Sequence, residues 1–292
     1  MRWLPEYKKS LKMPEVEESL DLVIYRPLAF LLVKLIFRTG ITPDHLTIAA
    51  ILTGVTGGVL YAFGSTITTN IGAALFMLFI ILDCSDGQLA RLKKNGTPIG
   101  RLLDGIADYI VVISIYAGIA IGYYQKEGQP SSLLILLFLS GVSVIAQSMF
   151  VDFYRTRFLD IVLKRKNTLE EGVHEYRKEY IRLKNTPGKW VEKNIVLIYL
   201  IYSKVQRILT AKKNREENFN FSPELYYKRN RILIRLWLLM GPSAGRTALI
   251  ICSFFSRFDL YFWITILIFN LLAALLWIIQ RYINNSFRTQ LK

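Results

Sequence analysis

The chain has 292 residues, 52% of them hydrophobic, and a formal net charge of +15. Such a composition, with 13% aromatic residues, belongs to a membrane protein rather than to a soluble or disordered chain. The two cysteines, Cys84 and Cys252, stand alone in apolar stretches, and there are only two histidines, which excludes a disulfide scaffold and a zinc site.

The opening stretch MRWLPEYKKSLKMPEVEESL is polar and contains no apolar h-region, so no cleavable signal is expected there. Residues 16–38 carry an apolar surface (Val23, Ile24, Leu28, Phe30, Leu31, Leu32, Leu35, Ile36) interrupted by Arg26, Lys34 and Arg38. Basic residues on an apolar helix suit an interfacial helix lying along the cytoplasmic leaflet; a seventh span is the competing assignment. Next comes Thr42-Pro43-Asp44-His45-Leu46-Thr47, where Asp44 reads as the N-cap of a helix starting at His45.

Six spans follow, at roughly 45–64, 70–92, 99–124, 132–154, 242–257 and 259–283. The fifth reaches across the bilayer only with help from the apolar residues before it. Gly54-x-x-x-Gly58 in the first span predicts close helix packing inside the bundle. The second and third spans carry Asp83-x-x-Asp86-Gly87-x-x-Ala90-Arg91 and then Gly100-x-x-x-Asp104-x-x-x-Asp108. Spacings of three and four put each aspartate pair on one helix face. Asn95-Gly96 and Pro98 mark a turn between the two helices, so the carboxylates are expected to face each other. Four facing carboxylates repel unless a cation lies among them, and an all-oxygen set favours Mg²⁺, Mn²⁺ or Ca²⁺. Gly87 and Ala90 leave room for a bulky group, and Arg91 suits a phosphate. Ionisable residues inside a membrane are costly and rarely idle. Metal-dependent phosphoryl chemistry is one explanation; a buried ion-pair network or a proton relay in an ion-coupled transporter is the other.

After the fourth span, Tyr154-Arg155-Thr156-Arg157 opens a basic region. From Arg155 to Met240 the chain holds 20 Lys or Arg against 9 Asp or Glu. No nucleic-acid-binding motif accompanies that charge, so attraction to anionic headgroups and the positive-inside rule account for it. Within it, WVEKNIVLIYLIYSKVQRIL (190–209) looks amphipathic but too short for a span. The charge distribution across the linkers places both termini, and all four aspartates, on the cytoplasmic side. The resulting expectation is an all-α polytopic membrane protein: an N-terminal interfacial helix (1–40), a four-span core (41–157), a basic helical insertion (158–240), and two last spans with a tail (241–292).

The eight fixed residues from Asp83 to Asp108 match, at every position, the signature of the CDP-alcohol phosphatidyltransferase family, which the chain resembles over most of its length except the insertion. The resemblance implies a membrane transferase that moves a phosphatidyl group from CDP-diacylglycerol to an alcohol and releases CMP, or one that transfers a CDP-linked headgroup to a lipid alcohol. It implies Mg²⁺ or Mn²⁺, two ions, with Asp83, Asp86 and Asp104 as ligands and Asp108 as the base, shared with a second ion. It assigns Gly87, Ala90, Arg91 and Gly100 to the nucleotide, and it places Thr47 at the edge of that pocket. There the family usually has Pro-Asn-x-x-Thr, and Asp44 departs from the Asn. Tyr154-Arg155-Thr156-Arg157 and Gly245-Arg246-Thr247 resemble stretches of phosphoinositol-type synthases, which makes Arg155, Arg157 and Arg246 candidates for an acceptor phosphate; headgroup binding is the alternative. The implied partners are CDP-diacylglycerol or another CDP-alcohol, a small polar alcohol, membrane lipids and a second copy of the chain, with no nucleic acid. The implied location is the cell membrane with the site facing the cytoplasm.

Overall fold

Helices build the whole architecture, and no strand occurs among the described residues. The computed structural model describes residues 3–11, 16–96, 98–127, 131–164, 168–184, 186–211 and 222–289. Parts of the expected insertion (165–167, 185 and 212–221) lie outside them. In chain order the helices are α1 (Trp3–Ser10), α2 (Arg26–Ile36), α3 (Pro43–Ala62), α4 (Thr66–Lys93), α5 (Pro98–Glu127), α6 (Ser131–Val162), α7 (Thr168–Lys184), α8 (Trp190–Ala211), α9 (Pro223–Leu238), α10 (Pro242–Phe254), α11 (Phe258–Trp263) and α12 (Asn270–Thr289). A π-helical turn, Asp21–Tyr25, leads into α2, and another, Ile264–Phe269, joins α11 to α12.

Six helical stretches are long and apolar enough to cross a membrane, as the sequence predicts. The fifth is Pro223–Phe254. α10 alone has 13 residues, which at 1.5 Å per residue reach only about 20 Å of the ~30 Å hydrocarbon layer. By length and composition the whole stretch Pro223–Phe254 qualifies, which matches the expectation that α10 needs the apolar residues before it. The protein is therefore an all-α integral membrane protein.

The chain divides into two compact units, Met1–Gln147 with Leu239–Leu272, and Ser148–Leu238 with Ala273–Lys292. In the first unit α3 packs against both α4 and α5, whereas α4 and α5 make few close backbone approaches to each other among the described residues. The glycines of α3 set this arrangement. A Cβ on Gly54 would strike the Val111 methyls, one on Gly58 would strike Ser114, and Gly57 lies against the Gly72 carbonyl. The expected Gly54–Gly58 packing is thus directed at α5. On the other side of the same contact a Cβ on Gly118 would overlap the Gly58 carbonyl. Because that neighbour is backbone, it cannot rotate away. Gly118→Ala is expected to force α3 and α5 apart and to destabilise the fold by about 2 kcal/mol, measured by thermal unfolding of the purified protein; an unchanged melting temperature would refute the contact.

Polar side chains in the first unit find partners inside it, as hydrocarbon demands. Tyr61 Oη donates to Ser253 Oγ at 2.9 Å. Tyr116 Oη lies 2.9 Å from Tyr261 Oη and 3.1 Å from Ser140 Oγ, which in turn lies 2.7 Å from Thr265 Oγ1. Gln147 Nε2 donates to the Thr265 carbonyl at 2.9 Å and to Asn270 Oδ1 at 2.7 Å.

Two local expectations change. The N-cap of α3 is Thr42, not Asp44: its hydroxyl accepts from the His45 amide, the His45 side chain accepts from the Thr42 amide, and Pro43 is the first helical residue. Proline at that position loses no hydrogen bond and has its φ preset, so the helix starts earlier and leaves Asp44 in the first turn. In the segment 16–38, Val23, Leu31 and Leu35 are exposed, in keeping with a lipid-facing stripe, and Ala29, Phe30 and Val33 are buried. Arg26, however, is buried in an ion pair with Glu17 at 2.8 Å; it does not reach headgroups. Lys34 pairs with Glu6 of α1.

In the second unit α7 and α8 pack together through Tyr176 and Tyr199, with ring centroids 4.5 Å apart. Trp237 of α9 stacks on Tyr154 of α6 at 4.5 Å. Gln280 donates to Asn230 at 2.8 Å.

Candidate functional site

The acidic centre is built on two helices that begin and end where the sequence says they must. α4 ends after Lys93, with Lys94 in the left-handed region (φ 54°) as its C-cap, and the Asn95-Gly96 turn follows. Pro98 opens α5. Arg91 and Lys93 lie in the last turn of α4, where cations meet the negative end of the helix. Lys93 Nζ donates to the Thr39 and Ile41 carbonyls at 3.0 and 2.8 Å, tying that end to the entry of α3.

Asp83 and Asp86 of α4 and Asp104 of α5 each bring a carboxylate oxygen within 4.8 Å of the other two. The Thr47 hydroxyl of α3 lies 2.5 Å from Asp86 Oδ2 and 3.2 Å from the Pro43 carbonyl; the charged acceptor is the stronger partner. Asp108, one turn beyond Asp104, pairs with Arg246 of α10: Nη2 is 2.6 Å from Asp108 Oδ2, and Nη1 is 3.8 Å from Asp83 Oδ2. The Arg246 guanidinium also lies over the Phe79 ring, 5.7 Å from its centroid, so that its apolar-facing side meets a π-face.

The donor set fits a hard divalent cation. All of its atoms are carboxylate or hydroxyl oxygens. In addition, Asp83 Oδ1 and Asp108 Oδ1 are buried and have no hydrogen-bond partner. A buried carboxylate oxygen with no donor is costly, and a cation is the partner that several converging anions share most readily.

Arg91 folds back over its own helix. Its Nε donates to the Ser10 carbonyl at the end of α1, and a Cβ on Gly87 would lie 3.3 Å from its Nη1. Its Nη2 is buried without a partner. Gly87 and Ala90 are half-buried on the same stretch of α4, and Gly100 is half-buried in the first turn of α5. Arg155 and Arg157 belong to the second unit, where Arg155 pairs with Asp152 at 3.1 Å and Arg157 hydrogen-bonds Tyr226. The structure thus groups Thr47, Asp83, Asp86, Asp104, Asp108 and Arg246 directly, with Gly87 and Arg91 along the same face of α4.

Sequence reasoning misses the residues of the N-terminal segment that brace this centre. Glu18 Oε2 accepts from the Ser243 amide at 2.9 Å, and Tyr25 Oη lies 2.7 Å from Thr247 Oγ1. Gln88 Nε2 donates to the Arg26 carbonyl at 3.0 Å. Burial holds the Asp21 carboxyl above its ordinary range, partly offset by a hydrogen bond from the Ser243 side chain and by the charges of Arg26 and Arg246. The one signal in the sequence is the run of acids Glu17, Glu18 and Asp21 just before an apolar helix, which needs cations or amides to meet.

Residues 40–168 match the family model described as CDP-alcohol phosphatidyltransferase. Among curated proteins, the chain is 33% identical to the phosphatidylinositol phosphate synthase of Mycobacterium marinum over 102 residues, which is 35% of this chain and 42% of that protein. It is 28% identical to the phosphatidylinositol phosphate synthase of Mycobacterium bovis over 138 residues, 46% of this chain and 60% of the relative. It is 36% identical to the CDP-diacylglycerol--glycerol-3-phosphate 3-phosphatidyltransferase of Rickettsia prowazekii over 70 residues, 24% of this chain and 39% of the relative. The chain thus matches between 39% and 60% of the length of these relatives. Asp83, Asp86, Asp104 and Asp108 all fall inside the stretch that is similar to the CDP-alcohol phosphatidyltransferase family.

Proposed function

We propose that the protein transfers a phosphatidyl group from CDP-diacylglycerol to a hydroxyl of a small polar alcohol, an inositol-phosphate-like polyol, and releases CMP. The observation that carries this reading is the convergence of Asp83, Asp86 and Asp104 within 4.8 Å, next to two buried carboxylate oxygens that lack partners. The similarity to a CDP-diacylglycerol--glycerol-3-phosphate 3-phosphatidyltransferase supports the donor and a phosphorylated acceptor, and the similarity to phosphatidylinositol phosphate synthases supports an inositol-containing product.

Asp83, Asp86 and Asp104, with Asp108 shared, are the residues to hold Mg²⁺ or Mn²⁺, two ions, which when bound neutralise the donor pyrophosphate and offset charge as its bridging bond breaks. Thr47 orients the Asp86 carboxylate by its hydrogen bond, in addition to bordering the nucleotide. Gly87 and Ala90 leave space for the cytidine. Arg91, with a free Nη2, and Gly100 complete the nucleotide pocket. Asp108 accepts the proton of the acceptor hydroxyl. The acceptor oxygen forms its bond to the β-phosphorus, the bridging P–O bond breaks, and its electron pair leaves on CMP. No covalent intermediate on the protein is required. Arg246 is available to a phosphate on the acceptor once the aspartates are compensated, and Arg155 and Arg157 act as phosphate-binding groups. The site faces the cytoplasm from the cell membrane, in line with the basic residues of 155–240, and the working assembly is a homodimer, as the family resemblance implies.

The test is a panel of inositol phosphate, glycerol phosphate, inositol and serine, each incubated with CDP-diacylglycerol and Mg²⁺ or Mn²⁺ and the purified protein. Lipid products are read by mass spectrometry and CMP is quantified. A phosphoinositide product with equimolar CMP is expected. Absence of CMP release with every acceptor and either metal rejects the reading, and product formed only from a CDP-linked headgroup and diacylglycerol replaces it.

A further inference from the structure

α10 starts in a way that leaves it uncapped from within. Its N-cap is Gly241 and its first residue is Pro242, and the cap makes no side-chain hydrogen bond. The Ser243 amide is then an early donor with no partner in its own helix. Ser243 is only 4% exposed, so water does not take that place either. The acceptor is Glu18, which arrives from 225 residues away in the chain. Its carboxylate occupies the space above Gly241 where any side chain would begin: a Cβ there would overlap it. A negative group at this end of the helix also complements its dipole.

Glu18 does not act alone. Asp21 lies beside the Ser243 side chain, and Tyr25 Oη lies 2.7 Å from Thr247 Oγ1. Ser243 and Thr247 lie one turn apart on α10, and Arg246 is the neighbour of Thr247 in the chain. The same N-terminal segment is fastened to α4, the helix of Asp83 and Asp86: Gln88 Nε2 donates to the Arg26 carbonyl, and Ser85 Oγ lies 3.4 Å from the Ala29 carbonyl; within the segment Glu17 holds the Arg26 side chain. One segment therefore grips both the helix that supplies the arginine and the helix that supplies two of the carboxylates.

We propose that Glu18, assisted by Asp21 and Tyr25, is a positioning residue that sets the Arg246 guanidinium against Asp108 and Asp83. What Arg246 then does in turnover rests on the proposed function; that Glu18 sets its position does not. Arg246 competes with any cation for Asp83 and Asp108, so whatever loosens Arg246 should let the centre bind a cation more tightly.

The experiment uses the full-length protein in nanodiscs and two readouts: Mn²⁺ affinity from the EPR signal of free Mn²⁺, and amide hydrogen exchange of the peptide covering 241–250. The variants are Glu18→Ala, Glu18→Gln, Gly241→Ala, Arg246→Ala and the double Glu18→Ala/Arg246→Ala. Glu18→Ala is expected to speed exchange in the first turn of α10 by about tenfold and to tighten Mn²⁺ binding by about threefold, in the same direction as the roughly tenfold effect of Arg246→Ala. Gly241→Ala, which keeps Glu18 but fills its place with a methyl group, should reproduce Glu18→Ala. Glu18→Gln, which keeps an oxygen for the Ser243 amide, should stay within about twofold of the parent protein. The double variant should bind Mn²⁺ no more tightly than Arg246→Ala, because the two act through one group. Unchanged exchange in Glu18→Ala, or additive Mn²⁺ effects in the double variant, overturns the proposal. If the parent protein binds no Mn²⁺, the metal-dependent function falls, and exchange alone decides the positioning role: faster exchange in Glu18→Ala and Gly241→Ala but not in Glu18→Gln sustains it, and any other pattern overturns it.

Discussion

Asp108→Asn is expected to reduce CMP release from CDP-diacylglycerol by about a thousandfold, within the range that a positioned general base contributes, while leaving the protein folded and its donor affinity within about threefold. The geometry explains why the effect should be confined to turnover. Asp108 Oδ2 is held by Arg246 at 2.6 Å, whereas Oδ1 has no partner. One oxygen is thus fixed in place and the other is free to receive a proton. Asparagine has the same shape and keeps an oxygen for Arg246, but its amide cannot accept the proton at neutral pH. Rate measurements with saturating donor, together with a melting curve, check this. Turnover close to that of the parent protein would remove Asp108 from the chemistry; loss of the melting transition would make its role structural.

Arg246→Ala should be the most disruptive single change to the cation-free protein. The guanidinium is 11% exposed and answers two aspartates at once. Removing one partner of a buried pair costs about 3–5 kcal/mol, and the lower end applies here because Asp108 stays 35% exposed and water screens part of its charge. The loss should be recoverable. Millimolar Mn²⁺ binds the uncompensated carboxylates and raises the melting temperature of the variant by more than it raises that of the parent, since ligand binding to the folded state stabilises by mass action. In the assay, the variant should raise KM for a phosphorylated acceptor more than for CDP-diacylglycerol, and Arg155→Ala should be compared beside it. An Mn²⁺ effect equal in variant and parent would argue against the shared-carboxylate picture. Unchanged KM in both variants would point to a neutral acceptor.

The six spans and the acidic centre are legible in the sequence because both depend on short-range regularities. Apolar runs of bilayer length announce spans, and carboxylates three or four residues apart must share a helix face. The pairing of Asp83 and Asp86 with Asp104 across a turn follows from Asn95-Gly96 and Pro98. What escapes is set by partners distant in the chain or by backbone fit. The mate of Glu18 lies near residue 243, and nothing local to either announces it. Gly54 and Gly58 of α3 lie against α5 and Gly57 lies against α4; the sequence shows that those glycines permit close packing but not which neighbour uses each. Thr42 was hidden as a cap because Asp44, two residues on, is an equally good capping type, and the proline between them decides the matter. The π-helical turns leave no signature that periodicity detects.

Arg246 follows the acidic residues late in translation. At ~5–20 residues per second, about ten seconds separate its synthesis from that of Asp108. During that interval the nascent chain must carry its carboxylates into or beside the bilayer without their arginine. Until α10 emerges, those groups must be protonated, hydrated or bound to ions. A ribosome that stops before this helix therefore releases a chain with unneutralised acid in its midst, a natural target for membrane quality control.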